Sequence, residues 1–371
     1  MNRRFRWQRK KKRQLKKHQV AESIPEGPLV EILSRVPYSS LCRFKCVSRS
    51  WLALCSDPDI RKRSPQTLSG FFHNYKYGNL EFRNLSGRGP PMVDPSLPFL
   101  GDYESFTVQQ CCRGLLLCSC SKPGATIDHF DLVVCNPATH KYSVLPPLVF
   151  LDEEAGGDPA CFLPMNAFLG FDTAAPSRFV VVVLLAGCPD NVAVYSSAIG
   201  RWIRRAWDHG AVPVVTAECV FLNGFIHSPI HEPYIAVVGT KGETMYWSTI
   251  PLPEAMEPSN GSSSMGQSQG LLHAWYIDPE DYQLSVWVLE DYKIHIWTLK
   301  HNVNVLELLD TQQDDGGFYE VFAIHPEQNM IFINNGEDTT ISYNMDTREV
   351  CVMCTSGEFM DGLPYIPCFA E

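Results

Sequence analysis

The stretch Leu284-Ser285-Val286-Trp287-Val288-Leu289-Glu290-Asp291-Tyr292, with Ile294-His295-Ile296-Trp297-Thr298-Leu299 one residue further on, decides how the chain is read. It holds two short runs rich in β-branched and aromatic residues with a polar gap between them, the pattern of strands joined by a turn. Runs of the same kind recur at Leu115–Cys120, Leu132–Cys135, Phe179–Leu185, Val192–Tyr195, Ile235–Val238, Met330–Ile333 and Thr340–Tyr343. Turn pairs such as Asn136-Pro137, Pro146-Pro147, Asn223-Gly224, Asp278-Pro279 and Asn335-Gly336 separate them.

Three segments echo one another: Asn136–Tyr142, Tyr195–Trp202 and Tyr343–Val350. Each reads as a strand end, a small polar turn, a basic residue and an apolar return strand. One such hairpin per unit, repeated over about 300 residues, points to a mainly β fold, a β-propeller or a related closed β array, in which circular repetition protects the strand edges. The repeat is too degenerate to yield a blade count. Gly261–Gly270 is polar and of low complexity, and reads as an exposed loop.

Ahead of the β region, residues 23–63 have helical periodicity. Leu29, Ile32, Leu33 and Val36 lie at i, i+3, i+4 and i+7, on one face of a helix near Glu26–Val36. Pro25 and Pro28 suit its start and Pro37 its end. Ser39 or Ser40 is placed to cap a second helix carrying Leu41, Phe44, Val47, Trp51 and Leu54, and Asp57-Pro58 closes the unit. About 40 residues bury too little surface for a comfortable independent core, a physical reason to expect a docking module.

The net charge of −10 conceals two opposite regions. Residues 1–20 hold ten Lys or Arg and no acid, leaving −20 on the rest. Such a run cannot bury itself, so residues 1–22 are expected to form a solvated, disordered arm. Within it Arg9, Lys10, Lys11, Lys12, Arg13, Lys16 and Lys17 are candidates for a nuclear-import signal. Phe5 and Trp7 make no stacking platform, so nucleic-acid binding is not expected. The longest apolar run, Phe179–Cys188, is about half of what a spanning helix needs. The basic start lacks an apolar segment after it, unlike a secretory signal. Nucleus or cytoplasm is therefore the expected location, with the 14 cysteines mostly reduced.

Ile24-Pro25-Glu26, then Leu29-Val30-Glu31-Ile32-Leu33-Ser34-Arg35-Val36-Pro37 and Ser40–Trp51, resemble the F-box over that module's full length. Cys135-Asn136-Pro137-Ala138-Thr139, Gly170-Phe171-Asp172, Val194-Tyr195-Ser196-Ser197, Leu222-Asn223-Gly224, Leu284–Tyr292 and Ala323-Ile324-His325-Pro326 resemble, in order, the F-box-associated domain of plant F-box proteins. The resemblance implies a small all-α F-box at 23–63 and a kelch-like β-propeller at 64–371. It also implies a role as the substrate-recognition subunit of a ubiquitin ligase. The F-box would bind a Skp-type adaptor and through it a cullin, and the β domain would select a protein substrate that the sequence does not name. Pro25, Leu29, Ile32, Leu33, Val36, Pro37, Leu41, Val47 and Trp51 are the matching positions expected to pack against the adaptor or hold the helices for it. Gly27 departs from the family pattern and weakens the first helical turn. The alternative is a protein-binding scaffold that uses the F-box only to hold the adaptor.

No catalytic residues, cofactor or metal are expected. There is no nucleophile elbow, phosphate loop or dinucleotide fingerprint. Cys351-Val352-Met353-Cys354 has no partner pair nearby, and Pro229 between His227 and His231 disfavours a helical ligand pair. Asp152-Glu153-Glu154 reads as solvated, Cys111, Cys112, Cys118 and Cys120 as small buried residues, and Trp202, Trp247, Trp275, Trp287 and Trp297 as blade packing.

Overall fold

In the computed structural model, residues 24–63, 67–74, 80–85, 91–125, 129–152, 158–161, 164–171, 178–185, 191–206, 219–229, 233–239, 247–256, 262–309, 319–335, 339–354 and 362–368 are described. The chain divides into two units, Met1–Pro65 and Gln66–Glu371.

The first unit holds α1 (Glu26–Leu33), α2 (Tyr38–Phe44), α3 (Arg49–Ser56) and α4 (Pro58–Arg63). Pro25 is the N-cap of α1 and Pro28 lies in its first turn, where backbone N–H groups have no partner in the helix anyway. Four expectations are corrected. α1 ends at Leu33 rather than Val36. The N-cap of α2 is Pro37, so Ser39 and Ser40 lie inside the helix. The second helix is two helices, because Ser48 is extended and its Oγ accepts the Trp51 N–H at 3.2 Å, starting α3 afresh. Asp57-Pro58 does not close the unit either. The Asp57 carboxylate accepts from the N–H groups of Asp59 and Ile60 at 2.8 and 3.2 Å and so begins α4.

The second unit is built of antiparallel sheets. It opens with β1 (Gly70–Asn74) and β2 (Leu80–Asn84). Blade I is β3 (Ser105–Cys112), β4 (Leu115–Ser121), β5 (Asp131–Asn136) and β6 (Lys141–Val144). A ribbon of β7 (Val149–Asp152) and β8 (Asp158–Cys161) follows. Blade II is β9 (Pro164–Phe171), β10 (Phe179–Leu185), β11 (Asn191–Ser196) and β12 (Arg201–Ala206). Blade III is β13 (Val220–Leu222), β14 (Phe225–Pro229), β15 (Tyr234–Gly239) and β16 (Trp247–Pro251). Blade IV is β17 (Ser262–Ser268), β18 (Leu271–Ile277), β19 (Gln283–Asp291) and β20 (Ile296–Asn304), followed by the short α5 (Val305–Leu309). Blade V is β21 (Glu320–Ile324), β22 (Met330–Asn334), β23 (Thr340–Asn344) and β24 (Val350–Cys354). Finally β25 (Leu363–Tyr365) returns to pair with β1, so blade VI has the order β2-β1-β25 and joins the two ends of the domain.

The fold is thus a six-bladed β-propeller. The first strand of each blade touches the first strand of the next, from β25 through β3, β9, β13 and β17 to β21. The core lies between blades, with one apolar cluster at every junction: VI–I, I–II, II–III, III–IV, IV–V and V–VI. Alternation splits each middle strand between two of them. On β10, Val181 and Val183 face blade I while Val182 and Leu184 face blade III.

The turns explain the echoes in the sequence. Between third and fourth strands, Asn136, Ser196, Asp291 and Asn344 each precede by four positions a residue with positive φ, namely His140, Gly200, His295 and Arg348. Oxygens of the Asn136, Asp291 and Asn344 side chains accept from backbone N–H groups two residues on, at 2.8–3.0 Å. The stretch 291–297 is a fourth member of the repeat. Between first and second strands, Arg113-Gly114, Asn223-Gly224 and Gln269-Gly270 have positive φ at both positions, the type I′ geometry that matches strand twist.

Gly261–Gly270 is corrected from an exposed loop. Ser262–Ser268 is β17, the innermost strand of blade IV, with Met265 and Ser268 buried. Gly266 reflects crowding, since a Cβ there would lie 2.5 Å from Ile324 and 2.9 Å from Trp275.

Candidate functional site

In the helical unit, Leu33 and Leu41 are 1% and 0% exposed and form the interior with Cys55 and Ile60. These two of the expected docking residues hold the helices. Leu29, Val36, Pro37 and Trp51 are half-buried, with Trp51 packed edge-on to Phe44 at 5.5 Å. Pro25, Ile32 and Val47 are exposed, Ile32 by 50% and Val47 by 62%. Ile24 and Leu52, absent from the expected set, are also exposed apolar residues. Their signal was exposure itself, which periodicity does not report for helices this short.

Glu31 ties α1 to α4. Its carboxylate accepts from Arg35 at 2.7 Å and from Arg63 at 2.6 Å. The Arg63 and Arg35 guanidiniums hold its carboxyl below the usual range. The charges are solvent-exposed, so they contribute orientation more than stability.

In the propeller, Gln110 on β3 donates through Nε2 to the Cys219 carbonyl at 2.9 Å, and its Oε1 accepts from Leu169 N–H on β9. Beside it, first strands of five blades surround a cavity of about 190 Å³ on the axis. Burial pushes the Cys112 thiol up to about 11 and Cys111 further still, so neither is a thiolate nucleophile near neutral pH. His227 is fully buried, with Nδ1 3.2 Å from the Val220 carbonyl and Nε2 2.8 Å from the Tyr292 hydroxyl. Burial lowers its pKa to about 4, so the ring is neutral.

The tryptophans latch blades. Trp202 donates to the Pro146 carbonyl at 2.7 Å, Trp297 to Pro251 at 2.8 Å and Trp275 to Val321 at 3.1 Å, each across a blade junction. Trp287 is buried. The side chain of Trp247, the basic residues 9–17, His231, Glu153, Glu154 and the Cys354 side chain lie outside the described residues. Cys112, Cys118 and Cys120 are buried as expected, whereas Cys111 is half-buried.

A family model described as F-box domain matches residues 22–63, and one described as F-box protein At3g26010-like, beta-propeller, matches residues 178–366. The chain is 28% identical over 212 residues to F-box protein At5g07610 of Arabidopsis thaliana, covering 53% of this chain and 47% of that one. It is 28% identical over 225 residues to Putative F-box protein At1g60370 of Arabidopsis thaliana, covering 56% and 73%. It is 29% identical over 141 residues to F-box/kelch-repeat protein At3g17530 of Arabidopsis thaliana, covering 35% of each. The chain spans 47%, 73% and 35% of the length of these three relatives.

Proposed function

This chain belongs to the F-box protein At3g26010-like β-propeller family, and on that premise we propose that it is the substrate-recognition subunit of a Skp–cullin–F-box ubiquitin ligase. It catalyses nothing itself. The F-box docks on a Skp-type adaptor, the adaptor brings a cullin, and the propeller holds a target protein near the transfer machinery, raising the effective concentration of target lysines.

The observation that carries this reading is the exposed apolar surface of the F-box. Ile32 and Val47 stand out from a unit whose interior is already filled by Leu33 and Leu41. Apolar anchors of this kind dominate protein interfaces. Pro25, Leu29, Val36, Pro37 and Trp51 complete the docking set.

Co-purification tests the proposal. The wild-type chain retains both adaptor and cullin, and the double substitution Ile32→Asp, Val47→Asp loses both while the propeller remains folded. Undiminished adaptor capture by that variant overturns the assignment. Adaptor captured without cullin favours the scaffold reading instead.

Two finer points belong to the same proposal. The propeller is of the kelch-like kind, with the recurring turn between third and fourth strands as its repeat. The basic run Arg9–Lys17 directs nuclear import, which deletion of residues 2–17 tests through the nuclear fraction of a fluorescent fusion.

A further inference from the structure

The axial cavity has a mainly apolar lining. Phe221, Met265, Trp275, Phe322, Ile324 and Leu363 make it chiefly apolar. The single charged side chain in the lining is Arg113, at the turn from β3 to β4. It is half-buried, and among the described residues it forms no ion pair. The neighbouring amide of Gln110 is already engaged at both ends.

Size narrows the occupant. A cavity of about 150 Å³ holds a benzene ring. The 190 Å³ here therefore admits one ring, or a branched aliphatic of that bulk, with one small polar substituent. An arginine in the lining selects an anion that can accept two parallel hydrogen bonds.

We propose that this cavity is a binding site for a small amphipathic carboxylate, its apolar body among Phe221, Trp275 and Phe322 and its carboxylate on Arg113. Every residue of its lining belongs to the second unit. The carboxylate is that of a free small acid or of a polypeptide carboxy terminus, two sources of the same chemistry.

Titration calorimetry on the full chain, with phenylacetate as probe and phenylacetamide as its uncharged counterpart, tests the site. A ligand of about ten heavy atoms binds with a Kd near or below about 1 mM. Phenylacetate is expected to bind at least about tenfold more tightly than the amide, because the charged hydrogen bonds to Arg113 are absent from the latter. Arg113→Asn, which tolerates the left-handed backbone, removes that preference. Ser264→Phe fills the cavity and removes binding of both. Where that variant melts early, Ser264→Leu replaces it.

A third arm compares short peptides ending in phenylalanine with free and amidated carboxy termini. Binding of the free-ended peptide alone assigns the carboxylate to a polypeptide end. Equal affinity for acid and amide, an unaltered preference in Arg113→Asn, or no binding by any of these probes overturns the proposal.

Discussion

Gln110 Nε2 donates to the Cys219 carbonyl across 2.9 Å, joining the first strand of blade I to the residue that leads into blade III, while the same amide accepts from Leu169 on the blade between them. One buried side chain thus stitches three blades at the axis. Gln110→Ala leaves the buried N–H of Leu169 without its acceptor, costing about 1–3 kcal/mol, and removes the donor to the half-buried Cys219 carbonyl. The midpoint of urea unfolding should fall accordingly. Gln110→Glu should not rescue it, because a carboxylate cannot donate to Cys219.

The F-box separates residues that hold it from residues it presents. Leu33→Ala removes a fully buried side chain and should cost about 2–5 kcal/mol, melting the helical unit. Ile32→Asp, on an exposed position, should leave the helical circular dichroism intact while abolishing adaptor capture. If Ile32→Asp melted the unit as Leu33→Ala does, the distinction between core and docking face would be wrong.

Gly27 lies inside α1 with open space where a Cβ would stand. Gly27→Ala should therefore stabilise the helix by about 0.5–1 kcal/mol without a clash. A higher melting temperature of the F-box and a tighter complex with the adaptor are the expected readouts. Unchanged stability would mean that α1 is held by its packing alone.

Two buried histidines make the propeller sensitive to acid. Burial lowers the pKa of both His227 and His325 from 6.5 to about 4. Between those values the unfolded chain binds more protons than the folded one. The stability these neutral rings permit is complete above about pH 6.5 and declines as pH falls toward 4, each contributing a slope of up to about 1.4 kcal/mol per pH unit. For His325 the geometry agrees, since its Nδ1 accepts the Glu327 N–H at 3.1 Å and cannot do so once protonated. Denaturant unfolding at pH 7 and pH 5 should show the loss, and His325→Asn should reduce it.

Legibility followed burial. The runs recognised in the sequence are mostly second and third strands of blades, such as β4, β5, β10, β11, β19 and β22. These pack against a neighbouring blade on both faces, so nearly every position is apolar and the run is continuous. The first strands escaped notice. β17 consists of Ser, Gly, Met and Gln, with Gly266 crowded by Ile324 and Trp275, and so lacks the apolar run that marks a buried strand. Outer strands such as β6, with half or more of its residues exposed, carry too little apolar pattern to register. The helical unit was misread at its boundaries because caps depend on backbone angles. Ser48 and Asp57 cap helices, whereas Ser39 and Ser40 do not, although all four residues are suitable types.

By itself the sequence determined the class of each region: apolar spacing marks the helices, doubly buried runs the middle strands, and turn chemistry at Asn136, Ser196 and Asn344 the repeating hairpin. Those are local properties, set within a few residues of chain. Tertiary structure alone decided the number of blades, the closure of blade VI by β25, the meeting of Gln110 with Cys219, and the convergence of Arg113, Phe221 and Phe322 on one cavity. These depend on pairings across roughly 100 to 300 residues, where ring closure brings strands together and no local pattern records which partner each will meet.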